Sequence, residues 1–286
     1  MKFSEIRPEM SDFTEVLGDI AVMPKKLYFY GKIPEKRVKS VAIVGPRKPS
    51  RYGQEVGYKV AFELAKRGIL VISGLALGID GVAHRAALDA GGVTIGVLGT
   101  PIDKLYPASN VRLAEEMVER GGAVISEYEP GAVLNFKRSF LDRNRIVSGL
   151  ADAVIVVEAA TRSGTLSTAA HALAQGKTIF AVPGNITSPM SAGTNGLIRA
   201  GAIPLTSYKD VLEVLMPERL EQAELEILGD SEEENAAIKL IQAGVRDGEE
   251  MIAKLGWSVS EFNQTITLLE VKGVIRGLGA NCWALK

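Results

Sequence analysis

The stretch "AVIVVEAATRSGTLSTAAHAL" (153–173) joins an apolar run to a small-residue helical pattern through a turn rich in Ser, Gly and Thr. Because the run "AVIVV" is apolar at every position rather than at alternate ones, it predicts a strand that is covered on both faces. A strand that enters a helix through such a turn commonly holds a phosphate. The stretch therefore predicts one β–α unit of a parallel sheet, and leaves open whether the phosphate belongs to a nucleotide, a dinucleotide cofactor or a nucleic-acid backbone.

The same alternation of strand and helix runs from residue 41 to residue 216. The predicted strands are "VAIV" (41–44), "ILVI" (69–72), "VTIGV" (93–97), "AVIS" (123–126), "AVIVV" (153–157), "TIFAV" (178–182) and "IPL" (203–205). The helical patterns between them cover 52–67, 79–90, 110–120, 138–149, 165–175 and 208–215. Strict β-then-α order implies parallel strands with right-handed crossovers. The predicted fold class is therefore α/β, with a doubly wound parallel sheet.

Three further segments flank this sheet domain of residues 41–216. Residues 1–40 are predicted to be a short N-terminal lead-in, in which "LYFYGKIP" (27–34) indicates an added strand and turn. Residues 217–234 are acidic and lack strand-like patterning, which indicates a linker. Residues 235–286 show three short helical patterns and then two strand-like pieces around a Gly-Ala-Asn turn. This order is typical of a small winged-helix domain.

The composition disfavours membrane, secreted and metal-binding classes of protein. No apolar stretch approaches the roughly 18 residues that a membrane span needs, and "MKFSEIRPEMSDF" at the start lacks the apolar core of a secretory signal. The lone Cys282 excludes an internal disulfide framework, and with only His84 and His171 besides it we expect no zinc site. We therefore expect a cytoplasmic protein without a membrane association, a metal or a cofactor.

Charge is distributed unevenly along the chain, although the net charge is only −1. Residues 1–216 hold 26 Lys and Arg against 21 Asp and Glu, whereas residues 217–286 hold 7 against 13. A surface that binds phosphates is therefore expected in the first part of the chain.

Three loops at strand ends carry the residue types that bind anions. They are "GPRKPSRYG" (45–53), "SGLALGID" (73–80) and the turn within "TRSGTLSTA" (161–169). The first loop supplies three cations, and all three supply backbone N–H groups or hydroxyls at helix starts. Turn chemistry and helix capping alone could explain any one of them. Because ligands bind beyond the carboxyl ends of parallel strands, three such loops at one sheet edge favour an anion site.

The segment "NFKRSFLDRNRIVSGL" (135–150) interleaves cations with aromatic residues. Single-stranded nucleic acid needs this combination, because the cations hold the backbone and a flat ring stacks on an unpaired base. The alternative is a solvated helix in which Arg138 pairs with Asp142 and both phenylalanines, Phe136 and Phe140, lie in the core.

A dinucleotide cofactor fits these loops poorly. The first β–α turn reads Gly45-Pro46-Arg47 instead of Gly-x-Gly-x-x-Gly, and a bulky cation stands where the pyrophosphate needs room. A Walker-type lysine loop is also absent from the sequence. The pattern therefore disfavours an oxidoreductase.

The motifs "GPRKPSRYG", "SGLALGID", "LGTPIDKLYP", "SEYEPG", "RNRIVSGL", "TRSGTLSTA", "VPGN" and "GTNGLIRAGA" occur in the order and spacing of the DNA-processing protein A (DprA/Smf) family. The resemblance covers about residues 25–215. It implies an extended Rossmann domain that binds single-stranded DNA, usually as a homodimer, and that is not an enzyme. It also implies that the protein protects incoming DNA and loads the RecA recombinase onto it during natural transformation.

The resemblance also implies which residues contact DNA, with Arg47 as the main contact. With Lys48, Arg51 and Arg145 added from the charge patterns above, the full expected set is Gly45, Arg47, Lys48, Arg51, Ser73, Gly74, Lys137, Phe140, Arg143, Asn144, Arg145, Ser163, Gly164 and Thr165. Two positions depart from the family pattern. Pro46 replaces a small Ser or Thr, which stiffens the loop and removes a backbone donor. Ala108 stands where relatives often have a basic residue.

Two rival functions remain. A related Rossmann-like family cleaves nucleoside monophosphates with a glutamate in its phosphate loop, but Thr168 stands at that position here. A threonine cannot replace the carboxylate. A transcription regulator would read duplex DNA through the winged helix, but its expected recognition helix, "SVSEFNQTITLLEVKG" (258–273), offers two acids and one lysine.

Overall fold

In the computed structural model, which describes residues 2–218 and 231–285, the chain divides into two units, Met1–Leu215 and Met216–Lys286. Nine strands of the first unit form one sheet. They are β1 (Ser4–Ile6), β2 (Leu27–Gly31), β3 (Ser40–Val44), β4 (Leu70–Ser73), β5 (Thr94–Leu98), β6 (Ala123–Ser126), β7 (Ala153–Val156), β8 (Thr178–Ala181) and β9 (Ile203–Pro204). The seven strands from β3 to β9 are parallel, as the sequence predicts.

The helices of the first unit connect these strands. They are α1 (Asp12–Glu15), α2 (Arg51–Lys66), α3 (Ile79–Asp89), α4 (Val111–Glu119), α5 (Phe136–Leu150), α6 (Gly164–Ala174), α7 (Ala192–Arg199) and α8 (Tyr208–Leu215). The sequence patterns predict all of them except α1 and α7, to within about two residues at each end. No helix of the described residues is both long and apolar enough to cross a membrane.

The strand order places a ligand crevice at the centre of the sheet. The order is β1-β2-β6-β5-β4-β3-β7-β8-β9, so the chain moves outward from β3 in one direction and then returns to β7 on its other side. The six strands from β5 to β9 in this order have the Rossmann arrangement, to which the remaining three are added. The extended Rossmann-like fold is thus confirmed, and its switch point lies between β3 and β7.

Residues 1–40 contribute more than a lead-in. Strand β2 pairs antiparallel with β6, and β1 pairs antiparallel with β2, so the expected added strand extends the sheet at its edge. Phe13 and Leu17 are fully buried and pack in the same core cluster as Val44 and Ile72. Full burial of such side chains contributes about 1.5–3 kcal/mol each. The segment is therefore part of the first unit's core.

The second unit has the predicted order of three helices and a hairpin. These elements are α9 (Glu232–Gln242), α10 (Gly248–Leu255), α11 (Val259–Val271), β10 (Ile275–Gly279) and β11 (Cys282–Leu285). Ile238, Met251, Phe262 and Leu269 form its core. Helix α9 begins inside the predicted linker, and residues 219–230 of that linker lie outside the described residues. The winged-helix assignment stays a prediction.

Candidate nucleic-acid interface

A cleft of about 530 Å³ opens beyond the carboxyl ends of β3, β4 and β7. Its wall is built by the three predicted loops together with α5. The expected residues on that wall are Gly45, Arg47, Lys48, Gly74, Phe140, Arg143, Asn144, Ser163, Gly164 and Thr165. Segments that are up to about 120 positions apart in the sequence therefore meet at one sheet edge, where the strand order reverses.

A buried carboxylate holds the first loop in place. Glu158, two residues after β7, accepts a hydrogen bond from the Ser50 backbone N–H at 2.9 Å and from the Ser50 hydroxyl at 2.5 Å. The Ser50 hydroxyl oxygen in turn accepts from the Gly53 N–H and caps α2. The loop is thus fixed at its C-terminal end, while the side chains of Arg47 and Lys48 remain exposed to solvent.

The second loop uses its amides internally. The buried carboxylate of Asp80 accepts from the backbone N–H groups of Gly74 at 3.0 Å and Ala76 at 3.3 Å. Burial raises the pKa of Asp80, and the nearby charge of Arg143 opposes that rise. The sequence predicts that this loop's N–H groups face an anion, but these two are already occupied. The loop therefore shapes the cleft instead of cradling a phosphate with them.

Arg143 forms the floor of the cleft. One guanidinium nitrogen donates to the carbonyl oxygens of Gly74, at 2.5 Å, and of Val97, and only 6% of the residue is exposed. Burial lowers the pKa of Arg143, with the negative charge of Asp80 opposing the shift. A Cβ at Gly74 would lie 2.5 Å from the guanidinium, so this position accepts only glycine without a shift of Arg143. Arg143 thus ties β4, β5 and α5 together beneath the site.

The third loop adds a cation that the sequence reasoning missed. Ser163 caps α6 by accepting from the Thr165 N–H at 3.2 Å, and the Asn144 side-chain amide donates to the Gly164 carbonyl at 3.4 Å. Arg162, which precedes this cap, is exposed and also lines the cleft. Its position inside the phosphate-type turn was the signal that could have identified it.

Three rings form an aromatic ridge beside the cations. The Phe140 ring lies 5.7 Å from Tyr106 and 6.3 Å from Phe136, centroid to centroid. The Arg47 guanidinium carbon lies 5.3 Å from the Phe140 centroid, and Lys104 Nζ lies 5.0 Å from that of Phe136. Phe136 and Tyr106 are 40% and 45% exposed, so the ridge offers flat faces to solvent. The core alternative is therefore wrong for Phe136, although the Arg138–Asp142 pair does form, at 3.5 Å.

Three of the expected residues, Ser73, Arg51 and Arg145, do not line the cleft. Ser73 is buried and its hydroxyl donates to the Ile43 carbonyl at 2.6 Å, which ties β4 to β3. Arg51 is exposed in the first turn of α2 and does not line the cleft. The side chain of Lys137 lies outside the described residues.

Arg145 is the third correction. It forms an ion pair with Glu127, donates from Nε to the Val22 carbonyl at 2.9 Å, and borders a different pocket. The reason is helix geometry: residues two apart on a helix differ by about 200° in direction. Arg143 and Arg145 therefore cannot both face the cleft.

Carboxylates are scarce on the described wall of the cleft. Among the described residues, Asp80 is the only acid on the cleft wall, and backbone N–H groups occupy its carboxylate. Thr168, at the position of the rival family's glutamate, is buried. In residues 2–218 and 231–285, no cluster of three or more His, Cys, Asp or Glu side chains could hold a metal ion. The described wall of the cleft instead carries exposed cations, with aromatic rings beside them.

Comparisons with known proteins agree with this geometry. The family model of DNA recombination-mediator protein A matches residues 5–216. Protein Smf of Escherichia coli is 46% identical over 195 residues, covering 67% of this chain and 51% of that protein. DNA processing protein DprA of Streptococcus pneumoniae is 42% identical over 196 residues, covering 68% of each chain.

Solved structures are similar as well. The structure of DprA from Streptococcus pneumoniae superposes with a TM-score of 0.68 at 40% identity, covering 74% of each chain. A structure of DprA from Helicobacter pylori, described for its single-stranded DNA binding mode, gives a TM-score of 0.67 at 32% identity, covering 76% of this chain and 97% of that one. The chain spans about half the length of the Escherichia coli and Mycobacterium tuberculosis relatives. Because the family model covers most of the chain, the protein belongs to the DNA recombination-mediator protein A family.

Proposed function

We propose that this protein binds single-stranded DNA with little sequence preference, as a recombination mediator and not as an enzyme. The observation that carries the proposal is the set of exposed cations Arg47, Lys48 and Arg162 around one cleft, next to the aromatic ridge of Phe136, Phe140 and Tyr106. Cations track the backbone, and bases of any identity stack on rings. The single-stranded DNA binding of the Helicobacter pylori relative supports this function.

Duplex DNA is a poorer ligand in this proposal. The cleft presents groups that contact phosphates and ring faces, and the ring faces of a duplex are already stacked on each other. We therefore propose a clear preference for unpaired strands.

The proposed cellular role is to protect incoming DNA in the cytoplasm during natural transformation and to load RecA onto it, with the protein acting as a homodimer. The family's description as a recombination mediator supports this role. The test measures the lag before RecA assembles on single-stranded DNA. The protein should shorten this lag, and an Arg47→Ala variant should shorten it less. Sedimentation equilibrium tests the dimer.

The central experiment compares single-stranded and double-stranded DNA of equal length in a fluorescence anisotropy titration at several salt concentrations. We expect tighter binding of the single strand. The logarithm of its association constant should fall with the logarithm of the salt concentration, with a slope (the salt slope) of about −0.7 for each phosphate that is contacted. Affinity for duplex equal to or above that for the single strand would refute the proposal. Binding that does not weaken with salt would refute the role of the cations.

A further inference from the structure

A second depression lies on the other side of the loop that carries Arg47 and Lys48. This outer groove has a volume of about 660 Å³ and is open to solvent. Arg47 and Lys48 line both the cleft and the outer groove, so one loop forms the divide between them. The far walls of the groove come from α2, α3 and the start of α4, through Tyr58, Arg85 and Arg112.

The described lining of the outer groove contains cations and no acids. Arg85 is partly neutralised, because its guanidinium lies 2.8 Å from Glu116 and 3.8 Å from Asp89. Arg112 is exposed and forms no ion pair within residues 2–218 and 231–285. The positive potential of the groove therefore rests on Arg112, Arg47 and Lys48.

Arg112 lies at a position where the dipole of its own helix is unfavourable for a positive charge. It lies in the first turn of α4, where the helix dipole repels a cation, and that turn holds no acidic residue. The helix has no side-chain cap: the Asn110 amide nitrogen donates to the carbonyls of Leu75 and Ala76, both at 3.0 Å, and the Val111 N–H donates to the Ala108 carbonyl. A cation thus lies at a helix start where no acidic residue of the first turn balances it, in an arrangement that an anion would stabilise.

A flat ring completes the groove. Tyr58 is 38% exposed, and its ring stacks on Phe62 at 6.1 Å with an angle of 18° between the planes. Its hydroxyl donates to Asp89 at 3.0 Å, which fixes the ring's orientation. The groove therefore combines the same two ingredients as the cleft, a positively charged wall and an aromatic face.

We propose that the outer groove binds the continuation of the DNA strand that occupies the cleft, so that the strand crosses the Arg47–Lys48 loop and its next phosphates lie against Arg112. This inference rests on the proposed function. It gives the protein a longer footprint than the cleft alone provides. Arg47 and Lys48 would then contact DNA phosphates on each side of the point where the strand crosses their loop.

The test uses two oligothymidylates, of about 6 and about 20 nucleotides, since another class of single-stranded-DNA-binding domain, the OB fold, occupies about 4–16 nucleotides. In the full chain, Arg112→Glu should weaken binding of the longer strand about tenfold and reduce its salt slope by about 0.7. Binding of the shorter strand, which the cleft holds alone, should change less than twofold. Lys66→Glu is the matched control, because Lys66 is exposed in the last turn of α2, at the opposite edge of the sheet.

The outcomes separate the two proposals. If the wild-type protein binds neither strand, the proposed function itself fails. If the wild type binds both and Arg112→Glu binds the longer strand as the wild type does, the outer groove is not on the path and this inference is overturned. Equal loss for both strands also overturns it, because Arg112 would then act on the cleft. Arg112→Ala, with circular dichroism on each variant, repeats the test without introducing a negative charge.

Discussion

Arg47→Ala is the most direct perturbation of the proposed site. Arg47 is exposed, lines both depressions and lies 5.3 Å from the Phe140 centroid. A hydrogen bond to a charged partner contributes about 1.5–3 kcal/mol. Because this side chain is solvated before DNA binds, we expect the lower end, about 1.5–2 kcal/mol, which is about a 10- to 30-fold weaker affinity.

The same change should leave folding intact. Arg47 has no buried partner among the described residues, and its contact with the Phe140 ring contributes about 0.5–1 kcal/mol at an exposed site. The free energy of unfolding should therefore fall by no more than about 1 kcal/mol. Urea unfolding of the variant measures this separately from binding.

Arg51→Ala is the matched control for Arg47→Ala. It removes the same charge four residues further on, from a side chain that lines neither depression. Anisotropy titrations at one salt concentration should show a clearly larger loss for Arg47→Ala. Equal losses for the two variants would mean that only net charge matters, and the cleft would then lose its special role. An Arg47→Ala protein that binds normally would remove Arg47 from the interface.

Three further predictions follow from buried groups and from the charge balance of the two units. Gly74→Ala should destabilise the protein by about 3 kcal/mol in urea unfolding, because its Cβ would displace Arg143 and leave a buried charge without its partners. The control is Gly164→Ala, whose Cβ would meet nothing within 4 Å and which should lower the free energy of unfolding by less than about 1 kcal/mol. Burial lowers the pKa of His84 from 6.5 to about 3, so the folded protein binds this proton less readily than the unfolded chain. Stability should therefore be full above pH 6.5 and fall toward pH 3, by about 2 kcal/mol at pH 5, and His84→Gln should lack this part of the pH dependence in denaturant titrations. A chain ending at Met216 should keep most of the single-stranded DNA affinity, whereas the isolated second unit, with 7 cations against 13 acids from residue 217 onward, should show almost none; clear binding by that unit would contradict this division.

The sheet was predictable because its strands are apolar at every position and alternate with helices. Two features escaped that reasoning. Helix α7, with the sequence "AGTNGLIR", contains two glycines and little apolar periodicity, so the helix depends on tertiary contacts such as that of Gly193 N–H with the Ala159 carbonyl at 2.7 Å. The short helical pieces around Phe13 and Leu17 are too brief to show a period, although both side chains are fully buried.

The site was predictable in composition but not in the direction of each side chain. The three loops and α5 do converge on one cleft, since the carboxyl ends of parallel strands share a sheet edge. Sequence alone could not show that Asp80 would occupy the amides of the second loop, or that Arg143 would be buried while Arg145 turned to Glu127. Those outcomes depend on which face of α5 is turned toward the sheet, and on which buried carbonyl oxygens require a hydrogen-bond donor. Tyr106 was missed because its loop reaches Phe140 only in the folded chain.

The first two loops interlock at Gly78, and this has an entropic consequence for binding. Gly78 has a φ of +79°, and a Cβ there would lie 2.2 Å from the Pro46 carbonyl oxygen, which also accepts the Ile79 N–H at 3.3 Å. Proline fixes its own φ as well, so the stretch before Arg47 has little freedom left to lose. The conformational entropy of this stretch is therefore lost when the chain folds and not when a ligand binds. Pro46 thus provides no amide donor, but it helps to form a contact surface that is rigid before a ligand is present.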